Sequence, residues 1–164
     1  MINDIRALRE PGALEAVAAS DAAVCLMHMQ GEPRSMQAAP HYDDVVNEVK
    51  VFLQERAAAA IAAGLVKERV VIDPGFGFGK TAQHNLDLLR NLGEFKTLGY
   101  AVLAGLSRKS TLGQITGRPA NERVPASIAA ALLAVERGAS IVRVHDVAAT
   151  KDALAVLNAL AIRK

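Results

Sequence analysis

Short apolar runs and longer helical patterns take turns along this chain. The runs are 23–29 (AVCLMHM), 68–75 (ERVVIDPG), 100–107 (YAVLAGLS) and 140–147 (SIVRVHDV). Between and after them, apolar residues at helical spacing predict helices over 44–64, 84–95, 127–139 and 150–164, and another helix starts near Pro11. Gly64 and Gly138 stand where helices stop, and Pro74 ends the run before it. Strands that alternate with helices imply parallel pairing through crossover connections. The chain is therefore α/β, built of parallel β/α units, with no linker, repeat or boundary dividing residues 1–164. Two architectures satisfy this, an open doubly wound sheet and a (β/α)8 barrel, and both bind ligands at the C-terminal ends of their strands.

Polar residues gather at those ends. Met27 and His28 close the first run, Asp73 the second, Ser107 to Ser110 follow the third, and Arg143, His145 and Asp146 lie in the fourth. Each has a plain reading as well: Asp73 before Pro74 suits a turn, and Arg108 and Lys109 suit a solvated loop. Arg143 stands inside an apolar run, where a buried guanidinium needs an anion or a carboxylate. His145, two residues on, faces the same side of that strand, and such a pair suits a phosphate ester. His28 reads as a core histidine, and His41 and His84 as helix-start residues.

The loop in VVIDPGFGFGKT (70–81) narrows the ligand class. Gly79, Lys80 and Thr81 supply the end of a phosphate-binding loop, but its first glycine falls on Pro74. Gly75 and Gly77 begin a dinucleotide fingerprint whose third glycine falls on Lys80. Both nucleotide readings fail at a position where the chemistry requires glycine.

Composition removes other classes. A net charge of +2 without a basic run gives no nucleic-acid footprint. No apolar stretch approaches the roughly 20 residues of a membrane span, and MINDIRALRE carries no signal-peptide pattern. The single Cys25 has no disulfide partner in the chain and reads as a buried small residue. No His or Cys spacing predicts a protein-built transition-metal site. A cytoplasmic protein is the plain expectation.

In order, IND, CLMHMQGEPRSMQ, DPGFGFGKT, GLSRKS and RVHDV span the whole chain, and together they resemble dihydropteroate synthase of bacterial folate synthesis. That family folds as a (β/α)8 TIM barrel. Its members join 6-hydroxymethyl-7,8-dihydropterin diphosphate to 4-aminobenzoate and release diphosphate, and sulfonamides compete with the aminobenzoate. The resemblance implies that Asn3, Asp73 and Lys109 hydrogen-bond the pterin and that Met27 packs on it. It implies that Gly105 permits close approach, and that Arg143 stacks on the ring and, with His145, grips the diphosphate. It places Phe78 in the wall of the aminobenzoate site, with Lys109 and Ser110 beside it. Lys109, Arg143 and His145 are the implied catalytic groups, and Mg²⁺ on the diphosphate the implied cofactor. The glycines of 75–79 would then fold a backbone loop beside a flat ring, with Lys80 a remnant of similarity to phosphate loops.

A complete barrel takes about 250 residues, and this chain has 164. The resemblance begins within the barrel, so the expectation is its C-terminal half, without the family's own Mg²⁺ ligand. Such a chain is expected to pair with itself or with another, a homodimer being the implied state. An inactive fragment that binds pterin or a partner chain, and another pterin-binding barrel such as a methyltetrahydrofolate methyltransferase, are the alternatives. The SRKS and RVHD segments argue against the methyltransferase, because methyl transfer needs no diphosphate grip.

Overall fold

The computed structural model describes residues 1–32 and 36–161. Residues 33–35 of the quoted motif, and the reach of the last helix to 164, lie outside the described residues. Five strands, β1 (Ile2–Asp4), β2 (Val24–Met27), β3 (Val70–Asp73), β4 (Ala101–Ala104) and β5 (Ile141–Val142), form one sheet. All pairs are parallel, and the strands lie in chain order, β1-β2-β3-β4-β5. A doubly wound sheet reverses its order at a switch point, whereas a barrel runs round in sequence. The observed order is the barrel's, and among the described residues β1 and β5 are open edges.

The helices are α1 (Ala13–Ala18), α2 (Val45–Ala62), α3 (Ala82–Arg90), α4 (Gly93–Lys96), α5 (Ser110–Thr116), α6 (Val124–Glu136) and α7 (Val147–Ala161). Val24, Leu26, Val70, Ile72, Val102 and Ala104 turn one face of the sheet toward the helices, against residues such as Leu53, Ala57, Leu88 and Phe95. Cys25, Val71 and Leu103 cluster separately on the other face. β2 and β3 are buried on both faces, so they read in the sequence as continuous apolar runs rather than alternating ones.

Local chemistry sets the helix limits. Asp44 caps α2, its side chain accepting from the backbone N–H groups of Val46 and Asn47, and Gly64 leaves the helix at φ +102°. Thr81 and His84 form a reciprocal capping box at the start of α3, as a helix-start role for His84 requires. His41 instead precedes the helix it was assigned to start. The single helix expected over 84–95 is two: the Asn91 side chain donates to the Asp87 carbonyl at 2.9 Å and the chain bends before Gly93. The strand expected over 140–147 is only two residues long. Its ladder ends because Ser107 Oγ accepts the His145 N–H at 3.2 Å. α5 gave no sequence signal, being seven residues of mostly polar character around Gly113. No described helix is long and apolar enough to cross a membrane.

Candidate active site

Strand parity gathers the expected residues. Cross-strand partners point to one side, so Asn3 lies beside Cys25, and Met27 beside Asp73. Ala101 pairs with Val71, and Leu103 with Ile141. Two residues onward along those strands stand Gly105 and Arg143. Asn3, Met27, Asp73, Gly105 and Arg143 therefore belong to the face opposite the helices, near the C-terminal ends of successive strands. Asn3 sits one level lower than Met27 and Asp73, exposed beside β2.

Asp73 is the centre of this face. It is 0% exposed, and its Oδ1 accepts the Gly75 N–H at 2.7 Å. Its Oδ2 is buried and has no hydrogen-bond partner among the described residues. The nearest cation, Arg143 Nη2, stands at 4.0 Å, beyond hydrogen-bond reach. Burial raises the Asp73 pKa above the usual carboxylate range, against the Gly75 hydrogen bond and the charges of Arg143, Lys80 and Lys109. A buried acceptor without a donor is a costly arrangement that a ligand N–H relieves.

The glycine loop after Asp73 presses onto the segment that follows β2. Gly75 and Gly79 have φ of +71° and +64°, and a Cβ on either would overlap the carbonyl oxygen of His28 or Gln30. Phe76 turns into the core, while Phe78 is half-buried. Lys109 Nζ lies 4.3 Å from the Phe78 ring centroid, in cation–π contact. Burial, and then Arg143, push the Lys109 pKa below the usual lysine value, while Asp73 opposes them. Gly105 gives room to Arg143, since a Cβ there would stand 2.9 Å from Nη2 of its guanidinium.

Gly105, Ser107, Lys109, Arg143, Val144 and His145 line a cleft of about 280 Å³. Arg143 is not the buried residue its apolar neighbours predicted. It follows the short β5, and its side chain is 42% exposed, although its expected carboxylate partner is present as Asp73. His145 shares the cleft with it, but from a loop rather than from one strand face. His145 Nδ1 and Ser107 Oγ are 2.9 Å apart. Ser107 Oγ also accepts the His145 backbone N–H, so this one hydroxyl holds both the ring and the main chain of His145.

The loops after β4 and β5 are tied together. Arg108, at φ +57°, makes a forked pair with Asp146 through contacts of 3.1 and 2.7 Å. The hydrogen bond from Arg108 holds the Asp146 pKa below its ordinary value. Arg123 Nη1 donates to the Arg108 carbonyl at 3.0 Å and to the Lys109 carbonyl at 3.4 Å. Ser110, at the start of α5, opens onto a different groove shared with Gln37, Pro40 and Thr81. Sequence reasoning named Ser107 among the strand-end residues without giving it a role, and missed Arg123 and the role of Lys80. Ser107 had a signal, since it shares the segment that supplies Lys109, whereas Arg123 had none.

Among the described residues no three His, Cys, Asp or Glu side chains come together to hold a metal ion. The cleft presents cations, which do not fit a Mg²⁺ ligand set.

The family described as pterin binding enzyme matches residues 1–145. A dihydropteroate synthase of Haemophilus influenzae is 55% identical over 98% of this chain and 58% of its own length. The structure of dihydropteroate synthase from Stenotrophomonas maltophilia with active site-bound imidazole superposes with a TM-score of 0.97 at 59% identity, covering 100% of this chain and 62% of that one. The dihydropteroate synthase of Xanthomonas albilineans in complex with 7,8-dihydropteroate gives 0.93 at 54% identity, over 100% and 62% of the two chains. The chain thus spans about three fifths of the length of these relatives. With them the sequential parallel sheet is identified as the C-terminal part of a (β/α)8 barrel.

Proposed function

The chain belongs to the pterin binding enzyme family, and from that premise we propose that it supplies the pterin and diphosphate half of a dihydropteroate synthase site. The reaction is condensation of 6-hydroxymethyl-7,8-dihydropterin diphosphate with 4-aminobenzoate to 7,8-dihydropteroate, with diphosphate released. The observation that carries this reading is the unpartnered Oδ2 of the fully buried Asp73. A pterin presents adjacent ring and exocyclic N–H donors, which suit such an acceptor. Met27, itself fully buried, and the glycine loop pack beside it, and Asn3 and Lys109 are the polar groups proposed to reach the ring.

In the proposed chemistry the methylene C–O bond breaks and its electron pair leaves with the diphosphate. Positive charge spreads into the dihydropterin. The aniline nitrogen then forms the C–N bond and loses a proton to solvent. Arg143, the His145 ring and Lys109 are the groups that line the cleft where the departing anion would sit. Fixed cations in a partly enclosed cleft favour the separated charge over the bound ester. The aniline is already a neutral nucleophile, so no strong base is assigned. Phe78 flanks the proposed approach of 4-aminobenzoate, while Ser110 opens onto the separate groove with Gln37 and Thr81. A Mg²⁺ ion accompanying the diphosphate would take ligands from substrate and water, and no step here is routed through it. A charged diphosphate ester does not cross a bilayer unaided, so a cytoplasmic site for the reaction is proposed on the premise that its substrate is made there.

Self-association belongs to the same proposal. Leu133 on α6 and Val147, Val156 and Leu160 on α7 are exposed, a pattern that favours a dimer contact. Light scattering is expected to show a dimer, and a monomer at micromolar concentration would refute it. The function is tested by calorimetry with 6-hydroxymethylpterin diphosphate, and by dihydropteroate formation when the N-terminal two fifths of a relative is supplied. Absence of pterin binding would overturn the reading.

A further inference from the structure

The proposed chemistry makes no use of the most unusual lysine in the molecule. Lys80 is 3% exposed, lying beneath the glycine loop that follows Asp73. Its Nζ donates to the carbonyls of Gly75 and Phe78, both at 3.0 Å, and lies 2.9 Å from His28 Nδ1. An ammonium has three N–H donors, and three short contacts meet it here, with the His28 carbonyl a longer fourth at 3.5 Å. His28 is therefore a neutral ring with its proton on Nε2, packed edge-on against Phe52 at 4.9 Å. We propose that Lys80, with His28 as its neutral acceptor, is a positioning residue that clamps the 75–79 loop to the segment after β2 and so sets Asp73 and Phe78 for the ligand. This inference rests on the functional reading above for the ligand, but the clamp itself does not.

The two anchored carbonyls flank the residues that matter. Gly75 donates its N–H to Asp73 Oδ1, and Phe78 is the ring under Lys109. Tyr42 adds a bond from its hydroxyl to the Gly79 carbonyl at 2.9 Å. Losing one proton from Lys80 would leave two donors for the two carbonyls and a lone pair toward His28, a contact the other ring tautomer would make from Nδ1–H. The groups acting on that charge are Asp73, which favours it, and Lys109, which opposes it, while burial is the largest influence and brings the Lys80 pKa down to about 7. His28 stays neutral, its pKa lowered to about 3 by burial and then by Lys80. An unfolded chain keeps its lysine protons to about pH 10, so this group gives no loss of global stability between pH 7 and 9. A change in affinity over that span is separable from unfolding.

The test compares the full chain with Lys80→Met, which keeps the stem and removes the ammonium. Amide hydrogen exchange at Gly75, Gly77 and Phe78 is expected to quicken about tenfold or more in the variant, while core amides of α2 keep their rates. Calorimetry with 6-hydroxymethylpterin is expected to show about tenfold weaker binding at pH 6.5, on the order of one lost hydrogen bond to a charged group. If the variant does not fold, His28→Leu and His28→Gln decide: Leu should loosen the loop and Gln, which keeps an acceptor, should restore it. Unchanged loop exchange in Lys80→Met, or in His28→Leu where the Met variant fails, overturns the clamp. A loosened loop with unaltered affinity overturns the positioning role. A wild type that does not bind the pterin, with its loop loosened by Lys80→Met, refutes the functional reading and leaves the clamp standing.

Discussion

Asp73→Asn separates binding from stability because the two should move in opposite directions. One carboxylate oxygen is committed to the Gly75 N–H at 2.7 Å. An amide must keep its oxygen there, so its NH₂ takes the place of Oδ2. Two donors then face Arg143 Nη2, 4.0 Å from the original oxygen, and any ligand N–H that approaches. Losing a charge-assisted acceptor for such donors costs about 1.5–3 kcal/mol, or roughly 10- to 150-fold in affinity. The unliganded protein gains instead. Burial is the largest influence on Asp73 and raises its pKa, so at neutral pH the ionised carboxylate is disfavoured in the folded state relative to the unfolded chain. The variant should melt no lower than the wild type at pH 7. That advantage should fade as pH falls toward about 4, the ordinary carboxylate value, where the wild-type side chain is protonated in both states. Calorimetry with 6-hydroxymethylpterin and thermal melts from pH 4 to 8 measure the two effects. Equal affinity for both proteins would remove Asp73 from the site. A lower melting temperature with proportionate loss of binding would make its role structural.

Arg143→Ala should weaken binding of the diphosphate ester at least tenfold more than that of the bare hydroxymethylpterin, and equal losses by calorimetry would confine Arg143 to the ring. Gly75→Ala combines a left-handed φ with an overlap on the His28 carbonyl, and should lose more than about 2 kcal/mol in urea titrations. A wild-type midpoint would show that the loop relaxes freely. Cys25 is fully buried, and burial above all pushes its pKa to about 12. A disulfide reagent at pH 8 should label it only after unfolding, and rapid labelling of the native protein would show that the inner face of the sheet opens.

The fold class was legible in the sequence because parallel pairing is implied by local facts. Val24 to Met27 and Val70 to Asp73 form apolar runs too short for helices, and the helical pattern ending at Gly64 leaves no hairpin between them. The segments carrying Asp73, Lys109 and Arg143 were legible for the same reason, since each follows directly from the end of a strand. Periodicity does not, however, count hydrogen bonds. It ran the last strand through to 147, where the Ser107 side chain takes the His145 N–H and ends the ladder at Val142. It also buried Arg143 by its apolar neighbours, though that side chain lies at the open edge of the sheet.

The sequence by itself determined that strands alternate with helices, that polar residues stand at the strand ends, and that the glycine loop matches neither nucleotide-binding pattern. Those properties depend on residues near one another in the chain. The tertiary structure alone decided the strand order that separates a barrel from a doubly wound sheet, because order is set by which strands find each other after the helices pack. It alone gave Asp73 an oxygen with no partner, for burial comes from neighbours on β2 and β4. It alone turned Lys80 from a remnant of a phosphate loop into an internal clamp. His28 lies 52 positions away in sequence, and only folding brings its ring to 2.9 Å from that ammonium.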